Sequence, residues 1–138
     1  MVYGEALSVQ SRGFSDVVNL SEQVKEVVSR SGVRSGLVNV TVIGSTASVS
    51  TVEFEPALVE DVKEQLERLI PHTLHSRHSA TWGDDNGFSH LRATLMGPGI
   101  TVPVVDGAAL LGTWQQIVLI DHDNRPRNRR LYVQVLGE

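Results

Sequence analysis

Runs of β-branched residues recur along this chain, and each is cut short by glycine, proline or an Asp-Gly pair. Leu37 to Ile43 reads L-V-N-V-T-V-I, Gly44-Ser45-Thr46 interrupts it, and Ala47 to Phe54 resumes with apolar residues set against small polar ones. Side chains with a branched Cβ pack well on a pleated surface, and period-two alternation is what one buried face requires. Further strands are expected at Val2 to Gln10, Thr101 to Val105 and Leu131 to Leu136. Asp106-Gly107 should turn Thr101–Val105 back into an arm over Ala108 to Asp121.

Only two stretches show a helical period. Leu20, Val24, Val27 and Val28 share one face, with Asn19 and Glu22 placed as a capping box and Gly32 placed to end the helix. Leu58, Val62, Leu66 and Leu69 mark a second helix over Ala57 to Ile70, opened by Pro56 and closed by Pro71. About seven strands and two main helices, unevenly interspersed, predict an α+β fold with a mixed or antiparallel sheet. At 138 residues the chain suits one domain over residues 1–138.

Composition narrows function by exclusion. There is no cysteine, so thiolate metal sites, disulfides and cysteine nucleophiles are ruled out, and any metal must rely on His and carboxylates. The net charge of −4 and an aromatic content of 5% argue against a nucleic-acid partner. No apolar run approaches the ~20 residues of a membrane span. The first residues, M-V-Y-G-E-A-L, lack the basic and apolar regions of a signal peptide, so a cytoplasmic location is expected. No G-x-G-x-x-G follows a strand, and there is no P-loop.

The densest polar stretch is His78 to His90, H-S-A-T-W-G-D-D-N-G-F-S-H. It reads as a loop, with Gly83 and Gly87 as joints, that brings two imidazoles together; the bland alternative is a solvated turn with two surface histidines. His78 and His90 are too far apart in sequence for a pair on one helix, and Asp84 or Asp85 would ligate or orient them. His72 and His75 read as part of a connecting segment. Glu53 is a general-base candidate if its strand face lines a cleft, and otherwise an outward charge. Arg125, Arg127, Arg129 and Arg130 form a cationic cluster in an exposed Asp121–Arg130 loop. Guanidinium groups there suit a phosphate or carboxylate, or are simply solvated.

Three blocks occur in order: D-D-N-G-F-S-H-L-R-A-T-L-M-G-P, V-P-V-V-D-G-A-A-L-L-G-T-W-Q-Q-I and D-N-R-P-R-N-R-R. With S-T-A-S-V-S-T-V-E-F-E-P upstream, they resemble the YjbQ family of small α+β proteins over nearly the whole chain. The resemblance implies a homotrimer. It also implies a secondary thiamine-phosphate synthase activity, described for some members, which joins an aminopyrimidine diphosphate to a thiazole phosphate and releases pyrophosphate. On that reading His78 and His90 hold a divalent metal, zinc or magnesium, and Glu53, Asp85 and His90 serve as acid and base. Ser45, Thr46, Ser48, Asn86, Ser89, Arg127, Arg129 and Arg130 would contact a small phosphorylated substrate. The family's first histidine falls at Gly44 and its tyrosine at Ser76, so the implied triad is reduced to two. The alternative is a trimeric binding or structural protein whose ancestral site has decayed.

Overall fold

A computed structural model describes residues 1–138. The elements run β1 (Val2–Ser11), β2 (Asp16–Asn19), α1 (Ser21–Ser31), β3 (Ser35–Val42), β4 (Ala47–Glu53), α2 (Pro56–Leu69), α3 (Arg77–Trp82), α4 (Gly87–Met96), β5 (Gly99–Val105), β6 (Ala108–Ala109), β7 (Gln115–Asp121) and β8 (Arg127–Gly137). The fold is α+β, as the alternation of strand-like and helix-like stretches implies. None of its helices is long and apolar enough to cross a membrane.

The strands form two antiparallel sheets. One has the order β1-β8-β3-β5-β6 and the other β2-β7-β4. Strand β8 shows why the first sheet has a dry side and a wet side. Arg129, Leu131, Val133 and Val135 are buried, whereas Asn128, Arg130, Tyr132, Gln134 and Leu136 are exposed. The buried side meets Val24, Val27 and Val28 of α1, together with Val49, Ile117 and Leu119 of the second sheet, in one apolar cluster. The opposite face of the second sheet contributes Val118 and Ile120 to a smaller cluster, covered by Leu66 of α2 with Val59, Val62 and Met96 alongside. Strand β7 is therefore covered on both faces.

Helix α1 buries the apolar face expected of it, but its start differs in detail. Helix α1 begins after Leu20, and Asn19 Oδ1 takes the Ser21 N–H at 2.9 Å without a bond from Glu22, so no capping box forms. Helix α2 starts at Pro56, where the Glu55 carboxylate accepts from the N–H groups of Ala57 and Leu58. It lies shallowly on the sheet: Leu66 is buried, but Leu69 is 68% exposed. Asp106 and Gly107 both take positive φ, as a two-residue hairpin turn with the strands' own twist requires.

Four expectations about local structure are corrected. Strand β2 is absent from the sequence reading because four residues are too few to show a period. The expected arm over Ala108–Asp121 is broken into β6 and β7 by a turn that leaves Trp114 73% exposed. The stretch from His78 to His90 is two short helices rather than a loop. The expected Asp121–Arg130 loop is the end of β7, a short connection, and the start of β8.

Candidate functional site: a recess between a histidine pair and two buried ion pairs

His78 lies in α3 and His90 in α4, and the turn at residues 83–86 folds one helix back on the other. Ser76 caps α3 by accepting from Ser79 N–H at 3.0 Å, and Gly83 ends it in the left-handed region with φ 67°. The Ser79 hydroxyl accepts the Gly87 N–H at 3.2 Å. A Cβ at Gly87 would collide with the Ser76 hydroxyl, so only glycine lets the first turn of α4 lie against the start of α3. As a result the His78 and His90 ring centroids are 4.4 Å apart, inclined at 43°.

The His90 imidazole titrates below its ordinary range because it is desolvated and because His78 stands beside it, while Asp84 and Asp123 pull the other way. His78 Nδ1 is buried without a hydrogen bond, 3.5 Å from Asp84 Oδ1.

Asn86 ties this pair of helices to the β7–β8 connection. Its amide donates to Asp123 Oδ2 at 3.3 Å, and its carbonyl accepts from the Ser89 hydroxyl at 2.6 Å and the Asn124 N–H at 3.1 Å. Asp121, His122 and Asp123 are all fully buried. Asp121 holds Arg129 by two bonds, from Nε at 2.6 Å and from Nη2 at 2.8 Å. Asp123 Oδ2 accepts from the Thr46 hydroxyl at 2.9 Å and pairs with Arg127 Nη2 at 3.1 Å, while its Oδ1 has no partner. Burial pushes the Asp123 carboxyl upward, but the Thr46, Arg127 and Asn86 contacts together hold it below the usual carboxylate range.

His122 lies behind this layer. Its Nδ1 is 2.8 Å from the Ser15 hydroxyl and its Nε2 is 3.1 Å from the Ser48 hydroxyl. The Ser15 oxygen also accepts from Arg92 Nη1 at 3.0 Å. Burial, with the nearby Arg92 charge, pushes the His122 imidazole down to about 4, so the ring is neutral between the two serines.

The residues singled out from the sequence are thus distributed unevenly. Gly44, Ser45, Thr46, His78, Trp82, Asp84, Asn86, His90, Arg127 and Arg129 surround one recess of about 460 Å³. Ser48 faces His122 behind the wall, and Ser89 bonds within its own helix turn. Asp85 opens instead onto a neighbouring hollow with His72, His75 and Ser76. Glu53 stands at the opposite end of β4, seven residues from Thr46, which is on the order of 20 Å along a strand. It lies there beside Phe54 and Trp114, not in the recess.

The cationic cluster is also rearranged. Arg129 and Arg130 point to opposite faces of β8, so Arg129 is buried and Arg130 is exposed. Sequence reasoning missed Asp121, His122 and Asp123, whose D-H-D reads as a charged turn; the signal available was the apolar I-V-L-I leading straight into it.

The implied metal is tested by the donors. Zinc sites use at least three protein ligands. Nowhere in the chain do three His, Asp or Glu residues converge on one point. Gly44 borders the recess with no side chain to offer, so the residues present do not make the expected centre.

The model of the YjbQ-like UPF0047 proteins matches residues 5–138. The chain belongs to the YjbQ family. A UPF0047 protein of Methanothermobacter thermautotrophicus is 37% identical over 137 residues, covering 99% of this chain and 94% of that one. The YjbQ protein of Escherichia coli O157:H7 is 29% identical over 133 residues, 96% of this chain and 94% of its own. A crystal structure of a family member from Sulfolobus solfataricus, described as of unknown function, superposes with a TM-score of 0.94 at 31% identity, covering 100% of this chain and 99% of that one. The YjbQ fold is therefore shared along the full described length, including the elements that bring His78 and His90 together.

Proposed function

We propose that this YjbQ-family chain binds a small phosphorylated molecule in the His78–His90 recess, as one subunit of a homotrimer. The observation that carries the reading is that the histidine pair and the guanidinium groups of Arg127 and Arg129 border the same hollow. Guanidinium groups held in place by buried carboxylates are set to receive phosphate oxygens without further ordering. A neutral imidazole beside them is able to take up or return a proton.

The reaction that the family resemblance supplies is condensation of the thiamine-phosphate synthase type. The thiazole nitrogen bonds to the pyrimidine methylene as the carbon–oxygen bond to the diphosphate breaks. Arg127 and Arg129 stabilise charge on the departing diphosphate, and His90 passes it a proton from solvent. Glu53 and Asp85 have no part in this version, since both lie outside the recess, and no step is assigned to a metal. The test is pyrophosphate release by purified protein given the aminopyrimidine diphosphate and the thiazole phosphate. Release that depends on both substrates and is lost in His90→Ala supports the reading. Release unchanged in His90→Ala removes His90 from the chemistry.

The second reading, a trimer that binds without catalysing, is favoured by Gly44, which leaves the histidine pair without a third partner. Elemental analysis of wild type and Gly44→His separates the two. Near one metal per wild-type subunit contradicts a decayed site; little metal in wild type and a gain in the variant supports it. Trimer formation is supported by the wet face of the five-stranded sheet, where Leu37 and Leu136 are 45% and 50% exposed, and by the exposed Trp114 turn.

A further inference from the structure

We infer that the side of the recess at Gly44 is an oxyanion seat, which takes a phosphate group between Arg127 and Arg129 without a metal ion. This rests on the reading that the recess receives a phosphorylated molecule, and it specifies how the phosphate is held.

Arg129 is more than nine-tenths buried. Its Nε and Nη2 are taken up by Asp121 and Thr46, which leaves Nη1 as its uncommitted nitrogen. A Cβ placed on Gly44 would lie 3.0 Å from that Nη1, its one neighbour within 4 Å. The space left by the missing side chain is therefore within hydrogen-bond range of a free N–H donor. Arg127 repeats the pattern: Nη2 is bound to Asp123 Oδ2, and Nε is buried with no partner. A buried donor without an acceptor is costly, and most such groups in proteins are matched by something. Here Arg127 Nε is such a buried donor, while Arg129 Nη1 is a donor left open beside Gly44.

Charge order favours an anion in this place. Asp121 and Asp123 fix the two guanidinium groups but are fully buried behind them, so the positive charges are the nearer ones to anything in the hollow. Coulomb energy falls with distance, and the nearer charge dominates. A metal ion at Gly44 would face two guanidinium groups, with no cluster of three His, Asp or Glu ligands to offset them. Asp84, the recess carboxylate that is not paired with an arginine, lies on the histidine side, beside His78. Phosphate oxygens match the planar N–H edges, and the exposed Ser45 at the rim adds a hydroxyl.

The experiment is calorimetric titration of purified full-length protein with inorganic phosphate, with and without EDTA, at constant ionic strength. Wild type is compared with Gly44→Ala, Gly44→Val and Arg127→Gln. Circular dichroism and thermal melting check that each variant is folded. The expected result is phosphate binding that EDTA leaves unchanged, weakened at least tenfold by Gly44→Val and by Arg127→Gln, and weakened less by Gly44→Ala. Binding abolished by EDTA overturns the proposal, as does a folded Gly44→Val that binds like wild type.

Phenyl phosphate, followed through the His78 and His90 ring resonances, tests the parent reading separately. If it binds while inorganic phosphate does not, or binds equally well to Gly44→Val, the seat is wrong and the phosphorylated-ligand reading stands. If neither compound binds at millimolar concentration, both fall.

Discussion

Arg129 and Asp121, eight positions apart across the β7–β8 connection, face each other through two hydrogen bonds of 2.6 and 2.8 Å, and Asp121 is fully buried. The same Asp121 accepts from the Ser11 hydroxyl and the Asp123 N–H, so β1, β7 and β8 meet at this one carboxylate.

Removing one partner leaves the other as a buried charge without compensation, which typically costs about 3–5 kcal/mol. Arg129→Ala and Asp121→Ala should each lower stability by that order, measured by urea unfolding. The double variant Arg129→Ala with Asp121→Ala should be less destabilising than the sum of the two single changes. Additive losses would show that the two groups do not depend on one another.

His122 sets an acid limit on stability. Its folded value is about 4, and an unfolded histidine titrates near ~6.5. Above the unfolded value both states are neutral and stability is fully present. As the pH falls from there toward 4, the unfolded chain binds a proton that the folded ring refuses, and stability declines. At ~1.4 kcal/mol per pH unit the loss is roughly 3 kcal/mol by pH 4. Urea midpoints measured across this range should show the decline, and His122→Gln should flatten it. An unchanged slope in the variant would place the acid sensitivity elsewhere.

Gly87 governs the approach of α3 to α4. Gly87→Ala drives a methyl group into the Ser76 hydroxyl, and overpacking of this kind costs about 1–3 kcal/mol. The variant should melt at lower temperature and separate the His78 and His90 rings, seen as changed imidazole NMR shifts. Ser76→Gly in the same chain should restore much of the loss. A Gly87→Ala protein with wild-type stability and wild-type histidine shifts would contradict this account.

Trimer formation predicts the mass of three subunits in light scattering at micromolar concentration. Charge placed on the wet face of the five-stranded sheet, as Leu37→Glu with Leu136→Glu, should shift the protein toward monomer. Both residues already face water in the single chain, so the exchange should cost the subunit itself little. A wild type that scatters as a monomer contradicts the trimer.

Much of the fold is legible in the residues. Period-two runs locate β1, β3, β4 and β5 nearly to their ends and the C-terminal part of β8, and the Leu20–Val28 face locates α1. The expected meeting of His78 and His90 appears as ring centroids 4.4 Å apart. The failures have one cause. Short elements such as β2, α3 and the first turn of α4 lack enough residues to show a period, and their polar residues read as solvent-facing. Polar side chains in D-H-D or S-x-x-S carry no mark that tells whether hydroxyl, guanidinium or water will meet them.

What the sequence by itself determines is the alternation of faces: Leu131, Val133 and Val135 must point one way and Arg130, Tyr132 and Gln134 the other, because successive side chains of a strand point to opposite sides. That rule also separates Arg129 from Arg130, once β8 is known to begin at Arg127. Only the tertiary structure decides that Arg129 meets Asp121, that His122 rests between Ser15 and Ser48, and that His78 lies on His90. None of these contacts shows in residue spacing, and the worth of the Arg129–Asp121 and His122 contacts depends on water being excluded from both partners at once. Local spacing does not encode that exclusion; it arises when β7 is covered on both faces.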